Sequence, residues 1–360
     1  MTLCSLFLRN FRNYREAYIQ FAPGVNLFYG RNAEGKTNLL EAIFFLSTGR
    51  SFRTTHLDEL ILQGERYFYI EASFSKDGIE QTLKISYDGT SRHLQLNATV
   101  YRGFLHLLGL LPHILYTPED IDLIRGGPNE RRRFLDLYLA QIDPLYVHHW
   151  LRYMRAMKQR NCLLRAHDES GIESWEAIMA LSGAYLLQKR EQAIADLVPF
   201  IEQASMRLSA DKEQLSIHYR PAGISSKCPP GEYADRLKKN LASLRKKEAM
   251  LGATLSGPHR DDIRLELSGK EVKTYASEGQ KRSCIASMRL GQWERYSAMN
   301  AAPPLLSIDD FGVHLDEERQ ARLNAELGRL GQVFLTSPFE AHAISSTSFA
   351  KFHISQGNIV

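Results

Sequence analysis

A glycine-rich loop between a strand pattern and a helix pattern is the feature that most restricts how this chain can fold. Residues 30–37 read Gly-Arg-Asn-Ala-Glu-Gly-Lys-Thr and fit the pattern G-x-x-x-x-G-K-[ST]. Val25–Tyr29 before the loop has the composition of a strand, and apolar residues recur at helical spacing from Leu39 to Leu46 after it. This order predicts a phosphate-binding loop, because backbone N–H groups at a helix N-terminus then face a single anion.

Each part of the loop has an expected role. Glycine is needed where N–H groups curl around phosphate oxygens, since a side chain there would block the approach. Lys36 is expected to bridge the β- and γ-phosphates of ATP, and Thr37 to offer its hydroxyl to Mg²⁺. We therefore predict ATP and Mg²⁺ as cofactors. The predicted nucleotide-binding residues of the loop are Gly30, Arg31, Asn32, Ala33, Glu34, Gly35, Lys36, Thr37 and Asn38.

Two adjacent carboxylates follow an apolar strand pattern near the other end of the chain. Pro303–Ile308 ends in Asp309 and Asp310, as expected where a buried strand delivers an acid to a metal. Asp309 is the predicted second Mg²⁺ ligand, acting through water, and Asp310 is predicted to polarise the attacking water. The alternative is a strand followed by an acidic helix cap.

A short motif upstream of those carboxylates predicts that a second protomer completes the site. Ser277-Glu278-Gly279-Gln280 precedes a helix pattern and resembles the S-x-G-Q signature of the ABC ATPase superfamily. In that superfamily the signature contacts the γ-phosphate bound by the partner subunit. Ser277, Gly279 and Gln280 would then form a second anion cradle, which requires a symmetric dimer with two ATP molecules at the seam. A simple helix cap is the alternative.

Composition and charge exclude several classes of protein. The longest apolar stretch, Phe104–Leu115, is too short to span a bilayer, and the N-terminus lacks a secretory signal pattern. Four cysteines without C-x-x-C spacing argue against a disulfide scaffold or a zinc site. We therefore expect a soluble cytoplasmic protein that does not enter membranes. A net charge of +4 does not by itself indicate nucleic-acid binding.

The remaining patterns predict a head interrupted by helices. Strands are expected at 2–8, 18–21, 67–74, 83–87, 263–267, 304–308 and 332–336, and helices at 129–139, 144–165, 173–208, 233–250 and 279–297. The predicted domains are an N-terminal half of the head at 1–120, a helical arm at 121–250 and a C-terminal half at 251–360. The fold class is α/β, an ABC-type ATPase head with a mixed sheet, an antiparallel β subdomain and the inserted helical arm.

These motifs together resemble one family, the RecF recombination-mediator proteins of bacterial DNA repair, in the SMC-like part of the superfamily. The matches cover nearly the whole chain and occur at 10–14, 35–42, 48–53, 117–120, 126–128, 131–136 and 256–262. Glu119, in the fourth of them, is taken with Lys36 and Asp310 as a candidate catalytic residue. Ala33 replaces a usual glycine, and Val313-His314 stands where the family generally has Ser-Glu.

The resemblance implies weak ATP hydrolysis, ATP-dependent dimerisation on single- and double-stranded DNA, and cooperation with RecO and RecR in loading recombinase at gaps. Thr336 ends the last predicted strand of the head, where a switch histidine often sits. The missing histidine favours slow turnover. It also keeps open a clamp whose ATP site governs assembly without hydrolysis.

Basic clusters are the candidate DNA contacts, because lysine and arginine neutralise phosphates without reading sequence. The predicted DNA-binding residues are Arg131, Arg132, Arg133, Lys238, Lys239, Lys246 and Lys247. A solvated helix face is the alternative for any one cluster, and the arginine triplet could equally contact nucleotide or a neighbouring helix.

At the level of function, a transporter ATPase subunit and an SMC-type rod protein are the competing classes. The long basic insert argues against the first and its modest length against the second.

Overall fold

The computed structural model describes residues 1–210, 212–224, 228–300, 302–313, 317–340 and 348–360. The chain divides into two compact units. Unit 1 comprises residues 1–120, 203–213 and 277–360, and unit 2 comprises 121–202 and 214–276. Unit 2 begins at Ile121 and includes residues 251–276, which we expected in the C-terminal half of the head.

Unit 1 contains two six-stranded sheets. The first is antiparallel, with strand order β2-β1-β4-β5-β6-β7. Its strands are β1 (Thr2–Phe11), β2 (Tyr14–Gln20), β4 (Phe68–Lys76), β5 (Ile79–Tyr87), β6 (Arg92–Leu96) and β7 (Thr99–Tyr101). The strands that we expected at 67–74 and 83–87 correspond to β4 and β5, which pair antiparallel with Phe68 opposite Tyr87.

The second sheet of unit 1 has the order β15-β14-β3-β13-β12-β8 and is parallel except for its last pair, β14 with β15. Its strands are β3 (Val25–Tyr29), β8 (His113–Tyr116), β12 (Leu305–Ile308), β13 (Val333–Ser337), β14 (Phe349–Ser355) and β15 (Asn358–Ile359). Both the strand before the glycine loop and the strand before the paired carboxylates lie in this sheet. Their carboxyl ends therefore meet at one edge.

Helices cover both faces of this central sheet. The helices of unit 1 are α1 (Lys36–Thr48), α8 (Glu278–Met299), α9 (Glu317–Leu327) and the end of α5 (Ile172–Ser209). Side chains on β13 alternate between the faces, so Phe334 packs with α1 and the first sheet while Val333 and Leu335 pack with α8 and α9. Nearly every residue of α1 is buried, as expected for a helix between two sheets.

Unit 2 combines helices with a small sheet. Its elements are α2 (Asp122–Arg125), α3 (Pro128–Ile142), α4 (Pro144–Ala166), most of α5, α6 (Tyr233–Leu251), α7 (Val272–Tyr275), and strands β9 (Leu215–Arg220), β10 (Asp262–Leu267) and β11 (Lys270–Glu271). The antiparallel sheet order is β11-β10-β9. We did not predict β9, although Leu215, Ile217 and Tyr219 alternate with polar residues at a strand period. The insert is thus not purely helical.

The predicted mixed α/β class with an antiparallel subdomain is confirmed. Among the residues that the structure describes, no helix is long and apolar enough to cross a membrane.

Candidate functional site: a nucleotide half-site and a basic helix

The glycine loop joins β3 to α1 through an unusual backbone path. Gly30 has φ 146°, and a Cβ there would lie 2.3 Å from the carbonyl oxygen of Ile354 on the adjacent strand. Gly35, with φ 117°, immediately precedes α1. Ala33 is also left-handed, with φ 67°, at the position where we noted a missing glycine. A side chain in that region costs roughly 1–2 kcal/mol, so the fold maintains this curl against a local preference.

Two side chains near the start of the chain hold the loop, one from the turn between β1 and β2 and one from the first residue of β2. Asn13 donates from Nδ2 to the carbonyl oxygen of Glu34 at 2.9 Å, and the Tyr14 hydroxyl donates to that of Gly35 at 3.0 Å. Asn38 in turn donates to the Asn13 side chain at 2.8 Å. In the sequence, residues 10–14 stood out only as one of the segments that resemble the family. That resemblance is the one sequence signal for their contacts with the loop.

Lys36 lies inside the curl and close to the paired carboxylates. Its Nζ donates to the carbonyl oxygens of Gly30 at 2.7 Å and Arg31 at 2.8 Å. Burial lowers the pKa of Lys36, and the nearby charges of Asp310 and Asp309 oppose that shift. The ammonium is therefore held by weak carbonyl acceptors at the mouth of the loop, where an anion can replace them.

Thr37 and Asp309, our two predicted metal ligands, are in direct contact. The Thr37 hydroxyl donates to Asp309 Oδ1 at 3.0 Å across the carboxyl edge of the central sheet. Burial raises the pKa of Asp309, and the charges of Asp310 and Glu119 add to that effect. A hydroxyl and a carboxylate oxygen this close fit the protein share of an Mg²⁺ coordination shell. The described residues contain no cluster of three His, Cys, Asp or Glu side chains placed to hold a metal.

Thr336 joins the Asp309 carboxylate to the Asp310 backbone. Its hydroxyl donates to Asp309 Oδ1 at 2.5 Å and accepts the backbone N–H of Asp310 at 2.8 Å. Asp310 itself has a left-handed backbone, with φ 51°. Sequence reasoning treated Thr336 only as the place of an absent histidine and missed this bridge, because no local pattern links residues 309 and 336.

Glu119 is exposed just beyond β8, and its neighbour Asp120 is anchored. Arg289 of α8 binds both Asp120 carboxylate oxygens, at 2.6 and 3.0 Å. Residues 118–121 form a short 3₁₀ turn in this segment. A catalytic role for Glu119 stays a prediction, as does that of Asp310.

Ser277 and Gln280 form a complete capping box at the start of α8. The Ser277 backbone N–H donates to Gln280 Oε1 at 2.7 Å, and the Gln280 N–H donates to the Ser277 hydroxyl at 3.3 Å. The helix-cap alternative is therefore present in the structure. It leaves Ser277 exposed and Gly279 in the first helical turn, so contact with a partner's nucleotide stays a prediction.

Val313 and His314 stand where the family generally has Ser-Glu. Val313 is half-exposed, and His314 lies outside the described residues.

The basic residues of α6 lie on one exposed face. Lys238, Lys239, Lys246 and Lys247 are all exposed, whereas Tyr233, Leu237, Leu241 and Glu248 turn inward. We call those four lysines the basic face. Arg245 of the same helix has a different role, because it pairs with Glu176 at 2.6 Å and with Glu173 at 3.3 Å.

The arginine triplet on α3 is mostly engaged within unit 2. Arg131 binds both carboxylate oxygens of Asp262, at 2.7 and 3.1 Å, and Arg132 donates to the carbonyl oxygen of Asp261 at 2.6 Å. Arg133 is the exposed member. Arg131 and Arg132 thus bind residues at the start of β10, and DNA contact by any of the three stays a prediction.

One basic residue of α4 lies in the interior. Arg160 is fully buried and pairs with Glu176 at 3.0 Å and with Glu248 at 2.7 Å. It also donates to the Thr254 hydroxyl at 2.9 Å. This ionic group connects α4, α5 and α6, so Arg160 is unavailable to nucleic acid.

Matches to known proteins cover nearly the whole chain. The family model described as the RecF/RecN/SMC N terminal domain matches residues 2–357. The DNA replication and repair protein RecF of Protochlamydia amoebophila (strain UWE25) is 46% identical over 338 residues, which cover 94% of each chain.

Solved structures agree with these sequence matches. A structure described as the recombination mediator protein RecF-ATP in the RecFOR pathway superposes with a TM-score of 0.92 at 29% identity. The alignment covers 100% of this chain and 97% of that one. The Smc head domain from Pyrococcus furiosus matches with a TM-score of 0.60 at 15% identity, which extends the likeness of fold to SMC heads.

Proposed function

Because this chain belongs to the RecF family, we propose that it is an ATP-dependent DNA-binding switch of recombinational DNA repair and replication restart. It binds single- and double-stranded DNA at gaps, helps to load recombinase, and hydrolyses ATP slowly. The observation that carries this proposal is the group formed by Lys36, Thr37, Asp309 and Thr336 at the carboxyl edge of the central sheet.

ATP with Mg²⁺ is the cofactor that suits this group. The loop from Gly30 to Thr37 offers backbone N–H groups and the Lys36 ammonium to phosphates. Thr37 and Asp309 would hold Mg²⁺, whose chemistry when bound is to neutralise charge on the β- and γ-phosphates. The related solved structure is RecF-ATP, which supports the choice of nucleotide.

Asp310 is the residue that we assign to orienting the attacking water. Its backbone N–H donates to the Thr336 hydroxyl, and its φ of 51° is left-handed, so the bridge fixes the backbone that carries this carboxylate. Neither Asp310 nor Thr336 brings an imidazole to the γ-phosphate. Slow turnover follows, since a carboxylate can accept a proton but Thr336 supplies no charge to the transition state.

Closure by a second copy of the chain is the step that makes the protein a switch. Ser277, Gly279 and the N-terminal dipole of α8 form an exposed anion cradle on the same unit as the phosphate loop. Two copies would place this cradle against the partner's ATP. Dimerisation would therefore depend on nucleotide.

DNA contact is assigned to unit 2, on the basic face of α6. These four lysines are exposed point charges on the side of the helix opposite its buried residues. Their charges would bind phosphates without sequence preference. RecR- and RecO-type proteins are the expected partners, because a structure in the same family is described within the RecFOR pathway.

A second candidate is a DNA clamp that closes on ATP without hydrolysing it. The observation in its favour is Thr336, whose hydroxyl is already occupied by Asp309 and the Asp310 backbone. The two candidates share the dimer and the DNA contact and differ only in turnover. A quench-flow measurement of phosphate release decides between them.

The test of the switch is nucleotide-dependent mass and DNA affinity. Molecular mass and binding of a gapped DNA are measured with ATP, with ADP and without nucleotide, for the native chain, Lys36→Met and Ser277→Arg. We expect ATP alone to produce a dimer and to tighten DNA binding in the native chain. Lys36→Met should abolish nucleotide binding, whereas Ser277→Arg should bind nucleotide but remain monomeric. Mass and DNA affinity that ignore nucleotide would refute the proposal.

A further inference from the structure

Residues 203–213 form a connecting segment of unit 1 that lies between two stretches of unit 2 in the sequence. The segment consists of the last turns of α5 and the residues after them, of which 211 lies outside the described part of the chain. It packs against the helices that follow the signature motif and the carboxylate strand. Ala204 and Leu208 share a core with Leu290 of α8 and with Leu323 and Leu327 of α9.

Polar contacts fix the segment in the same place. Arg207 pairs with Glu294 of α8 and, at 3.4 Å, with Glu326 of α9. Arg322 of α9 donates to the carbonyl oxygen of Leu208 at 3.0 Å. These contacts are shielded from water on at least one side, which makes them stronger than exposed ion pairs.

Glu213, at the end of the segment, reaches the signature motif itself. Its Oε1 accepts Gln280 Nε2 at 3.0 Å and Arg319 Nη2 at 3.1 Å. Only about 15% of the Glu213 side chain is exposed. One carboxylate therefore contacts both the signature glutamine and α9, the helix that begins at Glu317.

The Gln280 amide is held at both ends. Its oxygen accepts the Ser277 N–H at 2.7 Å, and its nitrogen donates to Glu213. An amide with one end free can flip, because its oxygen and nitrogen have nearly the same shape. The Glu213 carboxylate can only accept a hydrogen bond, so only the amide nitrogen of Gln280 can face it. It thereby keeps the amide oxygen on Ser277, and the capping box that orients the serine stays closed.

The geometry points to Glu213 as a positioning residue for the nucleotide half-site made by Ser277 and Gln280. Glu213 contacts no nucleotide itself and acts through the Gln280 amide. Arg319 supports it by holding the carboxylate. This inference rests on the proposed function, because the half-site acts only when two copies close on ATP.

Removing Glu213 should therefore weaken dimerisation without weakening nucleotide binding. Each protomer binds ATP first at its own glycine loop, which Glu213 does not touch. We expect Glu213→Ala to raise the ATP-dependent dimer dissociation constant about tenfold, a change of about 1.4 kcal/mol. Glu213→Gln should fall between, since it keeps an acceptor but loses the charge. Arg322→Gln, which loosens the same segment without touching the signature, is the matched control and should change dimerisation little.

Mixed dimers separate positioning from general loss of structure. Mixing Glu213→Ala with Lys36→Met gives heterodimers with one intact site, formed by the loop of the first chain and the signature of the second. Mixing the double variant with the native chain gives heterodimers that carry the same substitutions and no intact site. We expect the heterodimers of the first mixture to have a dissociation constant about threefold lower, because the two mixtures differ by one altered half-site out of the two that give the tenfold effect. The heterodimers are measured by native mass spectrometry with tagged chains.

The possible failures have different meanings. Equal heterodimer yields in the two mixtures, with a native chain that dimerises on ATP, would overturn the role of Glu213 and leave the switch intact. A native chain that does not dimerise on ATP would overturn both. ATP affinity of the isolated variants is measured with a fluorescent analogue. If Glu213→Ala fails to fold, the same mixtures made with Glu213→Gln decide the question.

Discussion

Replacing Thr336 with valine tests whether its hydroxyl holds the carboxylate pair together. Valine keeps the shape of threonine and removes both hydrogen bonds of the bridge. A bond to a charged acceptor contributes about 1.5–3 kcal/mol, and a buried N–H left without an acceptor costs about 1–3 kcal/mol. Thr37 still donates to Asp309, which limits the loss. We expect Thr336→Val to lower the free energy of unfolding of unit 1 by about 3 kcal/mol.

The assay needs a probe inside unit 1. Trp293 is buried there and donates to the carbonyl oxygen of Pro304, next to the carboxylate strand. With Trp150 and Trp175 changed to phenylalanine, its fluorescence reports urea unfolding of this unit alone. Thr336→Ser is the control, because it keeps the hydroxyl and loses one buried methyl, worth about 1 kcal/mol. Equal loss in the two variants would show that the bridge contributes nothing.

The pH dependence of that deficit provides an internal check. Burial already raises the pKa of Asp309, so its ionised form is disfavoured in the folded protein. Loss of the Thr336 donor raises this pKa further. The valine variant should therefore lose additional stability as pH rises through the folded pKa, and should regain it below the unfolded value of about 3.9. A deficit that is constant between pH 4 and pH 7 contradicts this account.

Three further measurements test other parts of the structure. Changing all four lysines of the basic face to glutamine should reduce the salt slope of DNA binding by up to about 4 and leave ATP affinity unchanged; an unchanged slope removes the face from consideration. Burial lowers the pKa of His113 to about 3, so stability present above the unfolded pKa of about 6.5 should fall as pH drops from 6.5 towards 3. His113→Gln should flatten that slope by about 1.4 kcal/mol per pH unit, and an unchanged slope would contradict the burial of a neutral His113. Arg160→Met should destabilise unit 2 by about 3–5 kcal/mol in urea, against almost nothing for exposed Arg155→Met, and similar effects would contradict the buried ionic group.

Much of the local structure could be predicted because it is encoded within short windows. The glycine loop, its flanking strand and helix, and the long helices of unit 2 have patterns with one clear period. Thr37 and Asp309, which we predicted as ligands of one metal, lie in contact, and their role as ligands stays a prediction. Each ends or begins an element whose place in a parallel sheet is known once the motif is recognised.

What could not be predicted depends on contacts between distant residues. No window contains both Thr336 and Asp309, or both Glu213 and Gln280. Arg160 lies in a helix that is rich in basic residues, so its sequence neighbours suggest an exposed side chain. Its burial depends on ion pairs with Glu176 and Glu248, which lie on other helices. The sequence around a charged residue does not identify its partner, because the same side chain can contact solvent, DNA or a buried acid.

The position of β14 has a consequence for how the protein is made. This strand pairs with β3 directly beside the glycine loop, and its Ile354 carbonyl faces Gly30. The turn after it donates the Gly357 N–H to the carbonyl oxygen of Glu34 at 3.0 Å. A ribosome therefore has to release residues 349–357 before the loop made first can take its final form. Unit 2 and the antiparallel sheet are complete earlier, so a nascent chain acquires the surfaces assigned to DNA before it can respond to ATP.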